Sequence, residues 1–378
     1  MPNGPLNQFT IIEFAGLGPC PLAGQLMADL GADVIVIDRA LGKADTRDVN
    51  RRNKRSIALD LKREAGREVA LKLVAGADAL IEGFRPGVME KLGLGPDVCH
   101  ARNPALVFGR MTGWGQEGPL AAYAGHDLNY MSLTGALAAI GAADAPPVPP
   151  LNLVADYGGG SMFLVFGVLA ALLERQGSGR GQVVDAAMVD GVPAMMGIFH
   201  SLLARGAWET RRGANLLDGG APFYRCYETR DGKAISVAPI EPQFFAEMCK
   251  RAGLPQIEPK DQMDKSRWPQ QTREFAAVFA TKTRDEWVEL FDGSDACVAP
   301  VLTFDEIEAH PHNAARGIYF REDGVMQASP APRFSRTPAA RPQPAHGKGA
   351  DGDAVLAAFG FSGEEIADLQ REGAVLSG

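Results

Sequence analysis

The chain has 378 residues, of which 46% are apolar and 22% are charged, which is ordinary for a soluble globular protein. This length is enough for two domains, or for one domain with a large excursion. A formal net charge of −8 argues against a general nucleic-acid-binding protein, although a local basic patch is still allowed.

Cysteine usage and hydropathy indicate the compartment. Five scattered cysteines without a C-x-x-C motif are typical of reduced thiols, and the polar opening MPNGPLNQ is unlike a signal peptide. The longest apolar run, residues 162–173, is shorter than the roughly 20 residues of a membrane span. We therefore expect a cytoplasmic protein with no membrane and no nucleic-acid partner.

The first 40 residues predict a βαβ unit. FTIIEFAG (9–16) resembles a short buried strand, LAGQLMADLGA (22–32) a helix ended by glycine, and DVIVIDR (33–39) a second strand. Such a unit implies parallel pairing with a right-handed crossover. The loop from Gly16 partly fits a dinucleotide-binding motif, but Pro21 breaks the G-x-G-x-x-G pattern, so NAD binding is a weak alternative.

The alternation of strand and helix continues downstream. We predict a strand at 56–62, a helix at 64–75, and strands at 77–87 and 105–115, the last two running into glycine loops. Repeated units of this kind predict an α/β fold, with a Rossmann-like large domain built on an open parallel sheet.

The second half changes character. Residues 182–209 predict a strand that turns into a long apolar helix over 192–207. Residues 215–245 alternate around the turn Arg230-Asp231-Gly232, which indicates an antiparallel hairpin. Helical stretches and a closing strand and helix at 297–310 then complete a smaller α+β domain, and the charged tail from Asp353 has helical spacing.

The stretch 125–160 holds two candidate proton carriers. GHDLNYMSLTG (125–135) places His126 at a predicted helix start, and LNLVADYGGGSM (151–162) places Asp156 before three glycines and Ser161, a candidate N-cap. A histidine and a tuned carboxylate can act as base and acid beside a carbonyl. On spacing alone, however, a satisfied polar histidine and an ordinary Asp-Tyr-Gly-Gly-Gly turn are the commoner interpretations.

A positive cluster, NRRNKR (50–55), stands out in this acidic chain. It lies near predicted strand ends, where α/β sheets bind ligands, and Arg and Lys pair well with phosphates. Arg52 and Arg55 are therefore candidate polyanion contacts, with a solvated basic loop as the alternative.

Several long blocks together resemble one family. The two stretches around His126 and Asp156, with GWGQEGP (113–119) and GRGQVVDAAMVDG (179–191), are similar to the family III CoA-transferase (CaiB/BaiF) superfamily, and within it to the α-methylacyl-CoA racemase branch. The similarity runs from residue 11 to residue 338. It implies an acyl-CoA substrate, an interlocked homodimer, and a C-terminal segment that returns to the first domain.

The resemblance also implies domain boundaries and a reaction. We expect a large CoA-binding domain at 1–190 and 325–378, a linker helix at 191–217, a small domain at 218–312 and a return linker at 313–324. The reaction would interconvert (R)- and (S)-2-methylacyl-CoA thioesters by α-proton removal and return. His126 and Asp156 would carry protons, the Asp127 backbone N–H would stabilise an enolate oxygen, and Glu241 would orient the histidine, in its own chain or from the partner.

CoA contacts follow from the resemblance residue by residue. They are Arg39, Ala58, Leu59, Asp60, Leu61, Lys62, Glu82, Gly83, Phe84, Arg85, Lys91, Gly125, His126, Asp127, Leu128, Asn129 and Tyr130. No metal and no separate cofactor are expected, because CoA enters as part of the substrate and no histidine pair has a suitable ligand arrangement.

Two rival functions remain. In a family III CoA-transferase, Asp156 would attack the thioester as a nucleophile and form an acyl anhydride. His126 favours the racemase, because a transferase does not need a second proton carrier. A non-catalytic CoA-binding scaffold is the rival from another class, and the presence of both proton carriers argues against it.

Overall fold

A computed structural model describes residues 4–45, 47–254 and 257–376. Six short segments form the main sheet: β1 Thr10–Phe14, β2 Asp33–Asp38, β3 Lys54–Ala58, β4 Ala79–Glu82, β5 Val107–Thr112 and β6 Val183–Ala187. They pair in parallel in the order β3-β2-β1-β4-β5-β6. The predicted α/β class is confirmed. The chain order reverses between β1 and β4, and open parallel sheets bind ligands beyond the carboxyl ends of their strands at such a switch point.

The helices of the described residues mostly connect or cover these strands. They are α1 Pro19–Asp29, α2 Glu64–Ala75, α3 Val88–Lys91, α4 Pro96–Arg102, α5 Asp127–Ser132, α6 Met162–Ser178, α7 Met188–Met195, α8 Gly197–Ala204, α9 Pro242–Ala252, α10 Trp268–Phe279, α11 Arg284–Phe291, α12 Pro311–Arg316, α13 Gly352–Ala358 and α14 Gly363–Arg371. Single 3₁₀ turns occur at Val49–Arg51, Leu137–Ala139 and Pro259–Asp261.

A second, antiparallel sheet and a hairpin complete the described structure. The sheet consists of β7 Arg225–Glu228, β8 Ala234–Val237 and β9 Val298–Val301, and the hairpin of β10 Tyr319–Glu322 and β11 Val325–Ala328. Gly232 has a φ of 72° in the predicted turn between β7 and β8, a conformation that glycine adopts without steric cost. The sequence did not predict the β10–β11 hairpin, whose first strand falls on the proposed return linker and whose second strand falls just after it.

The chain forms two compact units. Unit 1 contains Met1–Thr134, Leu151–Met195 and Pro311–Gly378, and unit 2 contains Gly135–Pro150 and Met196–His310. The core of unit 1 packs β-strand residues such as Ile12 and Ile35 against α2, α4 and the two C-terminal helices, whereas unit 2 has an aromatic core around Phe245 and Trp287. Residues 135–150, which the sequence placed inside the large domain, thus belong to unit 2.

Two predicted elements differ from the observed ones. The strand expected at 56–62 is β3, Lys54–Ala58, because Leu59 and Asp60 pair with the C-terminal tail through Val375 and Ala374 instead. The long helix expected over 192–207 is two helices, α7 and α8, which meet at Met196. Pro193 lies inside α7 and lacks the N–H that a continuous helix requires there.

The region predicted as a glycine turn is helical. A wide, π-helical segment, Leu153–Ser161, runs directly into α6, so Ser161 is not an N-cap; its hydroxyl donates to the Pro19 carbonyl at 2.7 Å. The glycines permit close packing, since a Cβ on Gly191 of α7 would lie 2.0 Å from the Gly159 carbonyl oxygen. Non-local packing, which the local sequence does not reveal, therefore explains the Asp-Tyr-Gly-Gly-Gly run.

The continuous helix Leu153–Ser178 is, by length and composition alone, capable of crossing a membrane. The expectation from the shorter run at 162–173 missed this, because it did not include the π-helical segment. One such helix is weak support for a span, and α6 packs against β5, β6 and α1 as core helices do. Its other side is apolar and exposed at Met162, Phe166 and Leu173.

Candidate active site

The residues expected to contact CoA lie mainly at one edge of the main sheet. Arg39 follows β2, the segment 58–62 follows β3, and the segment 82–85 follows β4. Because these strands are parallel, their carboxyl ends share an edge. The turn before α5 follows β5 and continues the same set.

The turn that carries His126 is held by an aromatic pair. His126 is the N-cap of α5, and its backbone N–H donates to Asn129 Oδ1 at 3.1 Å. The Tyr130 hydroxyl donates to the Gly125 carbonyl, and its ring meets Trp114 edge to face at 4.7 Å. His126 is exposed, whereas Tyr130, four residues later in α5, is buried.

Glycines on both sides of this aromatic pair make it possible. A Cβ on Gly113 would lie 2.0 Å from the Tyr130 ring, and one on Gly125 would lie 2.7 Å from it. Sequence reasoning missed the roles of Gly113 and Trp114. The GWG motif was the available signal, but only the structure shows that it supports the His126 turn.

Asp156 lies half-buried in the first turns of the π-helical segment. Its Oδ2 accepts a hydrogen bond from Asn152 Nδ2 at 3.3 Å and lies 3.8 Å from where a Cβ on Gly18 would be. Burial raises the pKa of Asp156; Asn152 and His126 oppose this shift, and the negative charge of Asp127 adds to it. The carboxyl is thereby shifted toward the protonated form, and it lies beside the β1–α1 loop at the switch point.

Asp127 links the two proton carriers. Its backbone directly follows His126, and its buried carboxylate Oδ2 accepts hydrogen bonds from the backbone N–H groups of Ala155, at 2.9 Å, and Asp156, at 2.8 Å. Its other oxygen, Oδ1, is buried with no hydrogen-bond partner in the described part of the chain. The sequence predicted a role only for its backbone N–H, which, as the first amide of α5, has no intrahelical acceptor.

The cluster NRRNKR, predicted as a polyanion site, is occupied by ion pairs. Arg52 binds Asp29 in the interior, with Nε 3.0 Å from Oδ1. Its neighbours pair in the same way: Arg51 with Asp38, Lys54 with Glu13, and Arg55 with Asp33. The interpretation of Arg52 and Arg55 as free phosphate contacts was therefore wrong, because carboxylates from α1, β1 and β2 already neutralise this cluster.

At the carboxyl edge of the main sheet, four cations have no ion-pair partner within residues 4–45, 47–254 and 257–376. They are Arg39, Lys62, Arg85 and Lys91, and all four are exposed. Arg85 is close enough to Tyr130 to act on it electrostatically. Free, exposed cations are better suited than the buried cluster to pair with phosphates.

Other members of the predicted CoA set are engaged within the protein. Ala58 and Leu59 are fully buried, and the Ala58 carbonyl accepts from the Leu376 N–H. Glu82 is also buried; it accepts from the Phe84 N–H at 2.7 Å and from Arg110 at 3.0 Å. Glu82 therefore shapes the turn that follows β4, and a direct CoA contact through its carboxylate stays a prediction.

The remaining members differ in exposure. Leu128 and Asn129 are exposed in the first turn of α5, and Gly83 is exposed in the turn after β4. Leu61 and Phe84 are partly buried against the core of unit 1. Asp60 accepts from the Lys62 N–H at 3.1 Å.

An open cavity of about 560 Å³ lies beside the ends of β2 and β3. Its wall combines Leu41 and Val375 with the exposed lysines Lys43 and Lys348 and the amide of Gln370. The combination of an apolar wall and exposed cations is suited to a nucleobase that carries a phosphate.

Glu241 lies in unit 2, where it is the exposed N-cap of α9 and makes no side-chain cap bond. The described residues contain no group of three or more His, Cys, Asp or Glu side chains arranged to hold a metal ion.

Comparison with known proteins identifies relatives over nearly the whole length. The sequence pattern of CoA-transferase family III matches residues 6–351. Alpha-methylacyl-CoA racemase from Mus musculus is 45% identical over 371 residues, covering 97% of this chain and 96% of the relative. The Homo sapiens racemase is 42% identical with the same coverage. The crystal structure of a CaiB/BaiF family protein from Brucella suis aligns with a TM-score of 0.79 at 27% identity, covering 94% of this chain and all of that one. The chain therefore belongs to CoA-transferase family III.

Proposed function

We propose that this protein is an isomerase that interconverts the (R) and (S) epimers of 2-methylacyl-CoA thioesters. The observation that carries the proposal is that two proton carriers lie at two helix starts, which hydrogen bonds to the Asp127 carboxylate connect. His126 precedes α5, Asp156 lies on the π-helical segment, and the Asp127 carboxylate ties the second start to the first. The racemase relatives at 45% and 42% identity support the same activity.

The reaction needs two groups on opposite faces of the α-carbon. In one direction neutral His126 removes the α-proton, and the C–H electron pair moves through the α-carbon–carbonyl bond to the thioester oxygen. Protonated Asp156 then returns a proton to the other face, which inverts the configuration of the α-carbon. In the opposite direction the carboxylate removes the proton and the imidazolium returns one.

The position of Asp156 supports a role as the acid. Burial, before any charged neighbour, raises the pKa of its carboxyl, and a carboxyl that retains its proton is a better donor to an enolate.

The enolate oxygen requires a hydrogen-bond donor. We assign this to the Asp127 backbone N–H, the first amide of α5, where the helix dipole also favours negative charge. One well-aimed donor of this kind is typically worth about 3–4 kcal/mol in the transition state.

A hydrogen-exchange experiment tests the reaction. The protein is incubated in deuterated water with one epimer of a 2-methylacyl-CoA and no second acyl acceptor. We expect deuterium at the α-carbon and both epimers in the product, because the returned proton comes from a solvent-exchangeable group. Acyl transfer to an added carboxylic acid without α-exchange would contradict the proposal and favour the transferase.

We place the CoA moiety along the carboxyl edge of the main sheet. The free cations Arg39, Lys62, Arg85 and Lys91 would pair with its phosphates, and the cavity beside Leu41 would take the adenine end. The pantetheine arm would then run past the 82–85 turn toward His126. No further cofactor is needed, because the activating thioester is part of the substrate.

We also propose that the active protein is a cytoplasmic homodimer. The exposed apolar side of the helix Leu153–Ser178, with Phe166 71% and Leu173 68% exposed, is a surface suited to a second copy. The interlocked form and the role of Glu241 in orienting His126, from its own chain or from the partner, rest on family resemblance. Sedimentation should show a dimer at micromolar concentration. A stable monomer would contradict the dimer, and binding of that monomer to phospholipid vesicles would assign the helix to a membrane instead.

A further inference from the structure

Asp127 is the only residue in the described site whose backbone joins one proton carrier and whose side chain holds the other. Its Oδ2 accepts from two consecutive N–H groups, those of Ala155 and Asp156. The first amides of a helix have no acceptor within the helix. A carboxylate from outside the helix accepts their hydrogen bonds, and the positive end of the helix dipole stabilises its negative charge. The contact spans 28 and 29 residues in sequence, and it therefore fixes one helix start against the other.

The Asp127 carboxylate lies in an environment that is unfavourable for a charged group. Asp127 is 7% exposed, and its Oδ1 has no hydrogen-bond partner within the described residues. No cation pairs with it in that part of the chain. A buried, half-satisfied carboxylate costs stability, so its presence at this position is better explained by function than by folding.

We propose that the Asp127 side chain is a positioning residue, which holds Asp156 at the correct distance from the α-carbon and keeps a negative charge beside it. This inference rests on the proposed racemase reaction. It is separate from the role of the Asp127 backbone N–H, because a side-chain substitution leaves that amide in place.

Within the part of the chain that the structure describes, few other charges act on Asp156. Apart from Asp127, the titratable groups that interact with it are His126 and Tyr130, both in the α5 segment. The helices packed on the π-helical segment direct their charges elsewhere. Asp190 of α7 acts on Asp185, Asp29 of α1 pairs with Arg52, and Arg175 of α6 pairs with Asp78.

Two substitutions separate position from charge. Asp127→Asn keeps an oxygen that accepts from the two N–H groups but removes the charge that raises the pKa of Asp156. The acidic limb of the pH profile of kcat/KM, measured with the epimer for which Asp156 is the base, should therefore move to lower pH. Asp127→Ala removes both contacts. Exchange from the epimer whose α-hydrogen faces Asp156 should then fall by roughly 100-fold, the cost of a misplacement of about 1 Å. Exchange from the other epimer, which needs only His126, should fall far less.

Asp78→Asn is the matched control. Asp78 also accepts a backbone N–H, that of Thr10 at 2.9 Å, but it lies at the amino edge of the same sheet. The Asp78→Asn variant should be less stable than the wild type, but it should leave the pH limb unchanged and affect exchange from both epimers equally. An unchanged pH limb in Asp127→Asn, or an equal loss for both epimers in Asp127→Ala, would overturn the inference. If Asp127→Ala does not fold, the pH limb of Asp127→Asn decides. Failure of the wild type to exchange any α-hydrogen would instead refute the proposed function.

Discussion

Replacing Arg52 with alanine should lower the stability of the folded protein and leave CoA binding unaffected. The Arg52 and Asp29 side chains are 4% and 2% exposed, and Arg52 also donates to Gln327 at 3.0 Å. Without Arg52, the Asp29 carboxylate would keep, among the described residues, only the amides of Asn53 and Gln25 as partners. Removing one partner of a buried ion pair typically costs about 3–5 kcal/mol, because the other charge is left uncompensated.

The size of this effect distinguishes a structural pair from a ligand site. At about 2–4 °C per kcal/mol for a domain of 150–250 residues, the melting temperature should fall by roughly 6–20 °C. Arg55→Ala is the control, because its pair with Asp33 is partly exposed and should contribute only about 0–1 kcal/mol. Urea unfolding measures the stability, and calorimetric titration with an acyl-CoA at two salt concentrations measures the binding. If Arg52→Ala kept its stability but lost acyl-CoA affinity together with salt dependence, the assignment of this cluster to structure would be refuted.

Three further predictions follow from the site. Arg39→Ala should weaken acyl-CoA binding by roughly 10–100-fold with kcat at saturation unchanged, since a charge-assisted phosphate contact acts on ground and transition states alike; calorimetry and steady-state kinetics check this, and unaltered affinity would contradict it. Asp156→Asn should abolish inversion yet raise the melting temperature at pH 7. Burial is the main factor that raises the pKa of Asp156 in the folded protein. The wild type therefore loses stability as the pH rises above 3.8, the ordinary pKa of an aspartate, and the stability gained by Asp156→Asn should disappear below that pH. Gly191→Ala should cost about 3 kcal/mol or more in urea unfolding, because its Cβ would meet the Gly159 backbone; Gly197→Ala, at the first residue of α8, has open space and should be neutral or stabilise the protein by up to about 1 kcal/mol.

Patterns within a few residues predicted much of the fold. The spacing of apolar residues predicted α2 at 64–75, and the structure has it at Glu64–Ala75. The turn at Arg230-Asp231-Gly232 predicted the pairing of β7 with β8. Both signals are local, because helix periodicity and turn chemistry depend on neighbouring residues.

Features that depend on distant residues could not be predicted in this way. The partners of the NRRNKR cluster come from α1, β1 and β2, and nothing in 50–55 reveals that Asp29 lies opposite Arg52. The glycines after Asp156 looked like a turn, but the close approach of Gly191 makes them part of a wide helix. The side-chain contact between Asp127 and Ala155–Asp156 likewise joins two segments that are separate in sequence.

The most direct test of the two-carrier reaction is α-hydrogen exchange in the two single-carrier variants, each supplied with each pure epimer. A base removes a proton only from the face it lies on, within hydrogen-bond distance. We therefore expect His126→Ala and Asp156→Asn to abolish inversion and to retain exchange from opposite epimers, each from the one whose α-hydrogen faces the surviving residue. Continued inversion in either variant, or residual exchange from the same epimer in both, would contradict the assignment of His126 and Asp156 to opposite faces of the substrate.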